Sequence, residues 1–154
     1  MSARYSAELI ARWFAAWAEA EDAEVSNLKL QKLLYYAQGH HLAERGAPLF
    51  DDEIQAWSHG PVVKDVYHRF KGFGSGNVVL PESDDFTWDE VDEETAQFLI
   101  RIWNTYGPIA AWKLRNMTHA SGPWKRHFVP DERHIVIPKA EIKDFFAVQQ
   151  PVAS

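Results

Sequence analysis

Apolar side chains recur at three- and four-residue spacing from Leu9 through Ile10, Trp13, Phe14 and Trp17, the stripe that one face of an α-helix buries. Ser6 stands before the stripe as an N-cap acceptor, and Glu8 places a negative charge in the first turn, where the helix dipole favours it. A second helix is predicted from Ser26 or Asn27 to about Arg45, with Gly46 placed to end it in a left-handed cap. Its apolar residues fall on two faces, Leu30, Leu33, Leu34 and Ala37 on one and Leu28, Tyr35 and Leu42 on the other. A helix with two apolar faces has to be covered from several sides, so this one is expected to be the central helix.

Beyond Pro48, the segment Glu53 to Trp57 alternates polar and apolar residues, with Ile54 and Ala56 on one face of a short strand. Pro61 is expected to open a third helix carrying Val62, Val63, Val66, Tyr67 and Phe70, since proline at the first helical position loses no needed N–H. Gly72, Gly74 and Gly76 end it. No strand precedes these glycines and no Lys-Ser or Lys-Thr follows, so they read as a flexible connection and not as a phosphate loop. Val78 to Leu80 reads as a second short strand. Asp92 can cap a fourth helix that buries Phe98, Leu99, Ile102 and Tyr106, Gly107 stops it, and Pro108 is expected to open the next, with Ile109, Trp112 and Leu114. Gly122-Pro123-Trp124 starts one further helical turn, Arg133 to Ile137 reads as a strand, and Ala140 to Val148 as a terminal helix packing Ile142, Phe145 and Phe146 inward. The expected fold is α+β and predominantly helical: a single compact domain over residues 1–148, of about six helices with two or three short strands, and a frayed tail over 149–154.

Composition agrees with one globular domain, because 154 residues with 46% hydrophobic and 25% charged content fall in the ordinary range. Zero cysteines exclude disulfides and every thiolate site, and a cytoplasmic location fits that count best. Glu8, Arg12, Glu19 and Glu21 interrupt the first stretch, so no signal peptide or membrane span is expected. Charge is distributed unevenly. The net charge is −6, and eight acids with no Lys or Arg between Glu82 and Glu94 leave the rest of the chain at +2.

Seven histidines raise the question of a metal. His40 and His41 are adjacent and point apart on a helix, so they cannot chelate one ion. His119, His127 and His134 would have to converge through the fold, with Asp131 or Glu132 adding an oxygen ligand, for a metal-assisted hydrolase to be the alternative reading. Around Ser58, Ser75 and Ser121 there is no nucleophile elbow. The clustered acids read as a solvated loop that can attract a basic partner. Lys113, Arg115, Lys125 and Arg126, with His119, His127 and Trp124 among them, make a modest basic patch, and a DNA-binding autoregulator is the third reading if they face one groove. No cofactor and no membrane are expected, nucleic acid is not favoured, and a homo-oligomer is left open. An aromatic content of 14%, with seven Trp, supplies anchors suited to a protein interface.

Two segments carry a family likeness. One is Leu28-Lys29-Leu30-Gln31-Lys32-Leu33-Leu34-Tyr35-Tyr36-Ala37-Gln38-Gly39, followed by Gly46, Pro48-Leu49-Phe50, Ala56-Trp57-Ser58-His59-Gly60-Pro61-Val62-Val63, Val66-Tyr67 and Phe70-Lys71. The other is Tyr106-Gly107, Leu114, Thr118-His119 and Pro123-Trp124. Together they resemble the Panacea domain, the SocA-like antitoxin family of type II toxin-antitoxin systems, also described as phage-associated, over roughly Asn27 to Phe146. His59 departs from the pattern, the family more often having an aromatic or another polar residue there. The resemblance implies a mostly helical, non-enzymatic domain that neutralises a cognate toxin encoded beside it by direct binding. Trp57, His59, Tyr67, His119 and Trp124 lie near element ends and are expected to share the partner surface, with Gly60, Pro61, Thr118 and Pro123 of the same motifs. Trp57, Tyr67 and Trp124 are expected to border an apolar groove for a toxin helix.

Overall fold

The computed structural model describes residues 3–120 and 122–149, so the candidate Ser121 and residues 150–154 of the expected tail lie outside the described residues. Helix α1 (Ala7–Ala20) starts on the Ser6 hydroxyl, which accepts from the Leu9 amide at 3.1 Å, and α2 (Asn27–Arg45) starts likewise on Ser26 and ends at Gly46 with φ +71°. A hairpin follows, β1 (Ile54–Trp57) and β2 (Gly60–Val62), then α3 (Lys64–Arg69). After a long connection come α4 (Glu93–Tyr106), α5 (Ala111–Ala120), α6 (Pro123–His127), β3 (Val136–Ile137) and α7 (Lys139–Ala147). The sheet is antiparallel in the order β2-β1-β3. The fold is a predominantly helical α+β domain.

Helix α2 is the centre, as its two apolar faces require: it packs against α1, α3, α4, α5, α7 and β2, and every residue from Leu30 to His40 is buried. Burying a helix all round also buries its polar residues, and each then needs a partner. Gln38 meets this by donating to the Phe50 carbonyl at 2.8 Å and accepting from the Leu49 amide at 2.8 Å. Gln31 accepts from the Val63 amide at 2.9 Å and donates to Asn27, whose own amide donates to the Tyr67 carbonyl at 2.9 Å. The polar positions of α2 therefore fasten the loops that follow it. At Gly39 α7 packs directly on the α2 backbone, and any Cβ there would collide with the Phe146 ring.

Several expected elements differ. Pro61 lies in β2, opposite Ala56, and α3 begins only at Lys64. The reason is the sheet order: β2 is an edge strand, where the missing N–H of proline is tolerated. Strand β1, the middle strand of the sheet, is buried at all four positions, so the expected alternation is lost. Val78 to Leu80 form no strand; the backbone makes one bridge, Ser26 with Asn77, and the Val78 amide donates to the Val25 carbonyl. Pro108 falls in the turn before α5, which starts at Ala111, and β3 keeps only two of the five residues expected.

The acidic segment is solvated at most of its acids, as expected, but it is anchored to the fold at Asp84 and Asp92. Arg12 of α1, 9% exposed, donates to Asp84 at 2.5 Å and to Asp85 at 2.7 Å, and Arg69 reaches Asp84 at 3.2 Å. The Arg12 hydrogen bond, aided by the Phe86 amide, holds the Asp84 carboxyl below the usual aspartate range. Asp92 caps α4 through the Thr95 amide at 2.7 Å while taking Tyr5 and Arg4 on its other oxygen. Trp88 then sits edge-on to both Trp13 and Trp17, at 6.0 Å from each. The outer flank of α1 is covered by this segment, which is why α1 buries more than one stripe.

Candidate functional site

The β1–β2 turn, Ser58-His59, is built on Lys32. Its ammonium, with the residue 1% exposed, donates to the His59 carbonyl at 2.5 Å. Gly60 follows with φ +121°, and a Cβ there would run into the Lys32 ammonium and stand 3.3 Å from the Thr118 hydroxyl. Only glycine meets both conditions, the backbone angle and the close approach. Thr118 donates to the Arg115 carbonyl at 2.8 Å within α5, and α5 packs against β2.

Around this turn the structure gathers the aromatic residues of both sequence motifs. Trp57 lies 5.0 Å from Tyr67 and 5.9 Å from His59, and His59 stacks with Tyr67 at 5.7 Å. The Trp124 indole N–H donates to the Trp57 carbonyl at 2.7 Å, and its ring stacks with His119 at 3.7 Å and with Phe128 at 4.7 Å. Pro123, buried, opens α6 beneath it. Trp57 and Trp124 are themselves interior, 2% and 7% exposed, and the Trp57 N–H donates inward to Gln55 and to the Arg133 carbonyl. His59, Tyr67 and His119 are half-buried at the edge of the cluster. The space expected as a groove between Trp57, Tyr67 and Trp124 is occupied by these packed rings.

Open space lies one step away. A cavity of about 340 Å³ runs between the start of α2, the turn and α5, lined by Leu28, Lys32, His59, Ala111, Trp112 and Arg115 together with Ser26 and Ser75. Trp112 is 65% exposed at its rim, against the buried Leu114 two residues on. Burial first, and then the Arg115 charge, push Lys32 down to about 7. The same causes act on the two imidazoles: burial, with Lys32, Arg133, Arg115 and His119, brings His59 down to about 4, and burial with Arg115 and Lys32 does so for His119. Both rings are neutral at pH 7. His59 Nδ1 and His119 Nε2 are buried with no partner among the described residues.

Lys32, Arg115, Trp112 and Leu28 were not singled out together by the sequence pattern. The signal available was the polar residue at position 32 inside a helix with two apolar faces, since such a lysine is either snorkelling or buried for a purpose. The remaining candidates are dispersed. His119 stacks on Trp124, His127 bonds to Glu141, and His134 is exposed; among the described residues no three His, Asp or Glu are placed to hold a metal ion. Of the basic patch, Arg126 pairs with Glu141 at 3.5 Å, whereas Arg115 edges the cavity. No helix among the described residues is long and apolar enough to cross a membrane.

Comparison with known proteins assigns the fold to a family. The profile of the family described as antitoxin SocA-like, Panacea domain, matches residues 30–125, which hold α2, the hairpin, α5 and the Trp124 cluster. The chain belongs to the SocA-like antitoxin family. A curated relative, Antitoxin SocA of Caulobacter vibrioides (strain NA1000 / CB15N), is 34% identical over 116 residues, 70% of this chain. The chain spans 62% of that relative's length. No solved structure matches. Within this Panacea domain the matched region begins within the central helix and stops within α6, so α1 and α7 lie outside it, both packed against α2.

Proposed function

We propose that this Panacea domain is a cytoplasmic antitoxin that neutralises a cognate toxin by direct binding, without catalysis, and that the toxin docks on the face made by the β1–β2 turn, the start of α2 and α5. Family membership supports the class. The observation that carries the location is a contrast in exposure: the motif residues Trp57 and Trp124 are interior, while Trp112 and Leu28, which line the cavity, are exposed at 65% and 37%. Exposed apolar residues grouped around a cavity mark interaction surfaces. In this reading Trp57, Gly60, Pro61, Thr118, Pro123 and Trp124 hold the turn and α5 in register, and His59, Tyr67 and His119 form the edge that a partner reaches.

The test begins with the neighbouring gene. Its product is expected to arrest growth when expressed alone and to be silenced, and co-purified, with this domain; a neighbour without toxicity removes the reading. For the face, an aromatic anchor truncated at an interface costs about 2 kcal/mol, roughly thirtyfold in affinity. Trp112→Ala is therefore expected to melt like the wild type and to bind the toxin about thirtyfold more weakly, whereas Trp57→Ala and Trp124→Ala melt early. Full neutralisation by a folded Trp112→Ala protein places the interface elsewhere.

A further inference from the structure

Six arginines, at positions 4, 12, 45, 69, 101 and 126, form ion pairs, and Arg133 lies over the Trp57 ring at 4.8 Å. Arg115 has neither kind of partner among the described residues. It shares the cavity with Lys32, whose ammonium makes one hydrogen bond among the described residues although it carries three donors. A buried cation is ordinarily paired, because desolvation without compensation is costly. Here no carboxylate compensates it among the described residues, and the space for one is present. The lining beside these cations is apolar, made by Leu28 one turn before Lys32 on α2 and by Ala111 and the exposed Trp112 one turn before Arg115 on α5.

We propose that this cavity is a recognition pocket for a carboxylate carried next to an apolar group, and that an acidic, apolar-flanked segment of the toxin supplies it. The proposal rests on the antitoxin reading for its occupant but not for its chemistry. Two cations set beside apolar residues distinguish a carboxylate with an apolar body from inorganic phosphate, which would gain nothing from Leu28 and Trp112. A protein segment is favoured over a free metabolite because the pocket is continuous with the exposed rim of Trp112, which a small molecule inside 340 Å³ would leave uncovered. The carboxylate would accept from Lys32 and Arg115, restoring to Lys32 the charge partner that the fold withholds; the depression of Lys32 toward neutrality is what that missing partner leaves behind.

The probe is 3-phenylpropanoate, with 3-phenylpropanamide as its uncharged counterpart and phosphate as the bare anion, titrated into the ¹⁵N-labelled protein. The acid is expected to shift the Trp112 indole and the α5 amides and to bind at least tenfold more tightly than the amide. Lys32→Met, nearly the same shape, and Arg115→Gln, at an exposed position, should each lower that affinity about tenfold; Arg115→Gln keeps the test intact if Lys32→Met fails to fold. Equal binding of acid and amide, equal binding of phosphate, or indifference to both substitutions overturns the pocket. In a second arm the acid, and a toxin peptide with its carboxylates amidated, are measured against toxin binding. Competition by the acid and loss of binding on amidation are expected. A pocket that binds the acid while toxin binding ignores both overturns the toxin as occupant and leaves the antitoxin reading intact, whereas a failure of co-expression to silence the toxin strikes that reading alone.

Discussion

Arg12 on α1 and Arg115 on α5 hold the same charged group in opposite circumstances. Arg12 is enclosed, donates to two aspartates and lies 5.7 Å from the Phe86 ring, and the segment that supplies those aspartates is closed over α1 by Trp88. Arg115 is exposed at the edge of a cavity, beside a buried lysine, with no acid against it among the described residues. Eight clustered acids and four clustered bases look alike as charge runs, yet Asp84, Asp85, Asp92 and Glu94 find cations within the chain, whereas Arg115 has no acid against it among the described residues. Charge that is compensated in the fold stabilises it; charge left uncompensated next to exposed apolar surface is what a partner can use.

The sharpest way to break the comparison is to leave Asp84 without its cation. Its side chain is 5% exposed, and Arg69 at 3.2 Å and the Phe86 amide at 2.9 Å are the partners that remain. Arg12→Met is expected to destabilise the domain by about 3 kcal/mol, since removing one member of a buried pair strands the other. Urea unfolding measures it. A loss below about 1 kcal/mol would put Arg12–Asp84 in the class of surface pairs and erase the contrast with Arg115.

On the turn side the corresponding break is Gly60→Ala. The substitution adds left-handed backbone strain at φ +121° and a methyl group against the Lys32 ammonium. A loss of about 2 kcal/mol is expected from strain of this kind. Thermal melting reads the loss, and displaced amide resonances should extend along α5 through Thr118. If Gly60→Ala melts with the wild type, the turn yields easily and Lys32 does not fix it.

Gly60 also marks how far the sequence could be read. The central helix was legible because two apolar stripes on one segment admit a single solution, and the helix starts at Ser6, Ser26 and Asp92 were legible because a cap is a local interaction. Pro61 was misread as a helix start because its environment is set by β1 at a distance; whether a proline sits at an edge strand depends on sheet order, which no local pattern encodes. The motif residues expected to share a partner surface do come together in the fold, since Trp57, His59, Tyr67, His119 and Trp124 converge. Their depth was not legible, because aromatic residues serve cores and interfaces equally well. Nor was the pairing of Asp84 with Arg12, 72 residues apart, visible in a run of acids.

Titration sharpens the comparison, because the two regions should lose stability in different pH windows. His40, His59 and His119 are held down to about 4 from an ordinary value of 6.5, burial being the main cause. Between those values the unfolded chain takes up protons that the fold refuses, so stability falls as pH drops from 6.5 toward 4. Asp84 and Asp92 are held below the ordinary aspartate value of 3.8, so what they contribute is present above that value and is lost only as pH falls further, through their folded values. Lys32, brought from 10.5 to about 7, acts at the other end: stability rises as pH climbs from 7 toward 10.5, and Lys32→Met should flatten that rise. Melting temperatures recorded from pH 3 to 10 check all three. Absence of the decline between 6.5 and 4 would mean that the imidazoles are not buried neutral in solution, and a rise above pH 7 that survives in Lys32→Met would remove Lys32 as its source.

The smallest effect expected is the most discriminating, because it concerns two adjacent carboxylates on the same arginine. Asp85 receives the Arg12 guanidinium at 2.7 Å, close to the 2.5 Å of Asp84, but its side chain is 95% exposed against 5%. Water already solvates the Asp85 carboxylate, so the ion pair replaces solvation that is nearly as good, and such pairs contribute about 0–1 kcal/mol. Asp85→Asn should therefore shift the urea midpoint barely at all, and the small shift should vanish at about 1 M salt, where screening acts within about 3 Å. Asp84→Asn should cost markedly more and keep its cost in salt, because the enclosed Arg12 then lacks its main anion. If the two substitutions cost the same, distance to the cation and not burial sets the worth of a charge in this domain, and the inference that an uncompensated, enclosed Lys32 is waiting for an anion would lose its physical basis.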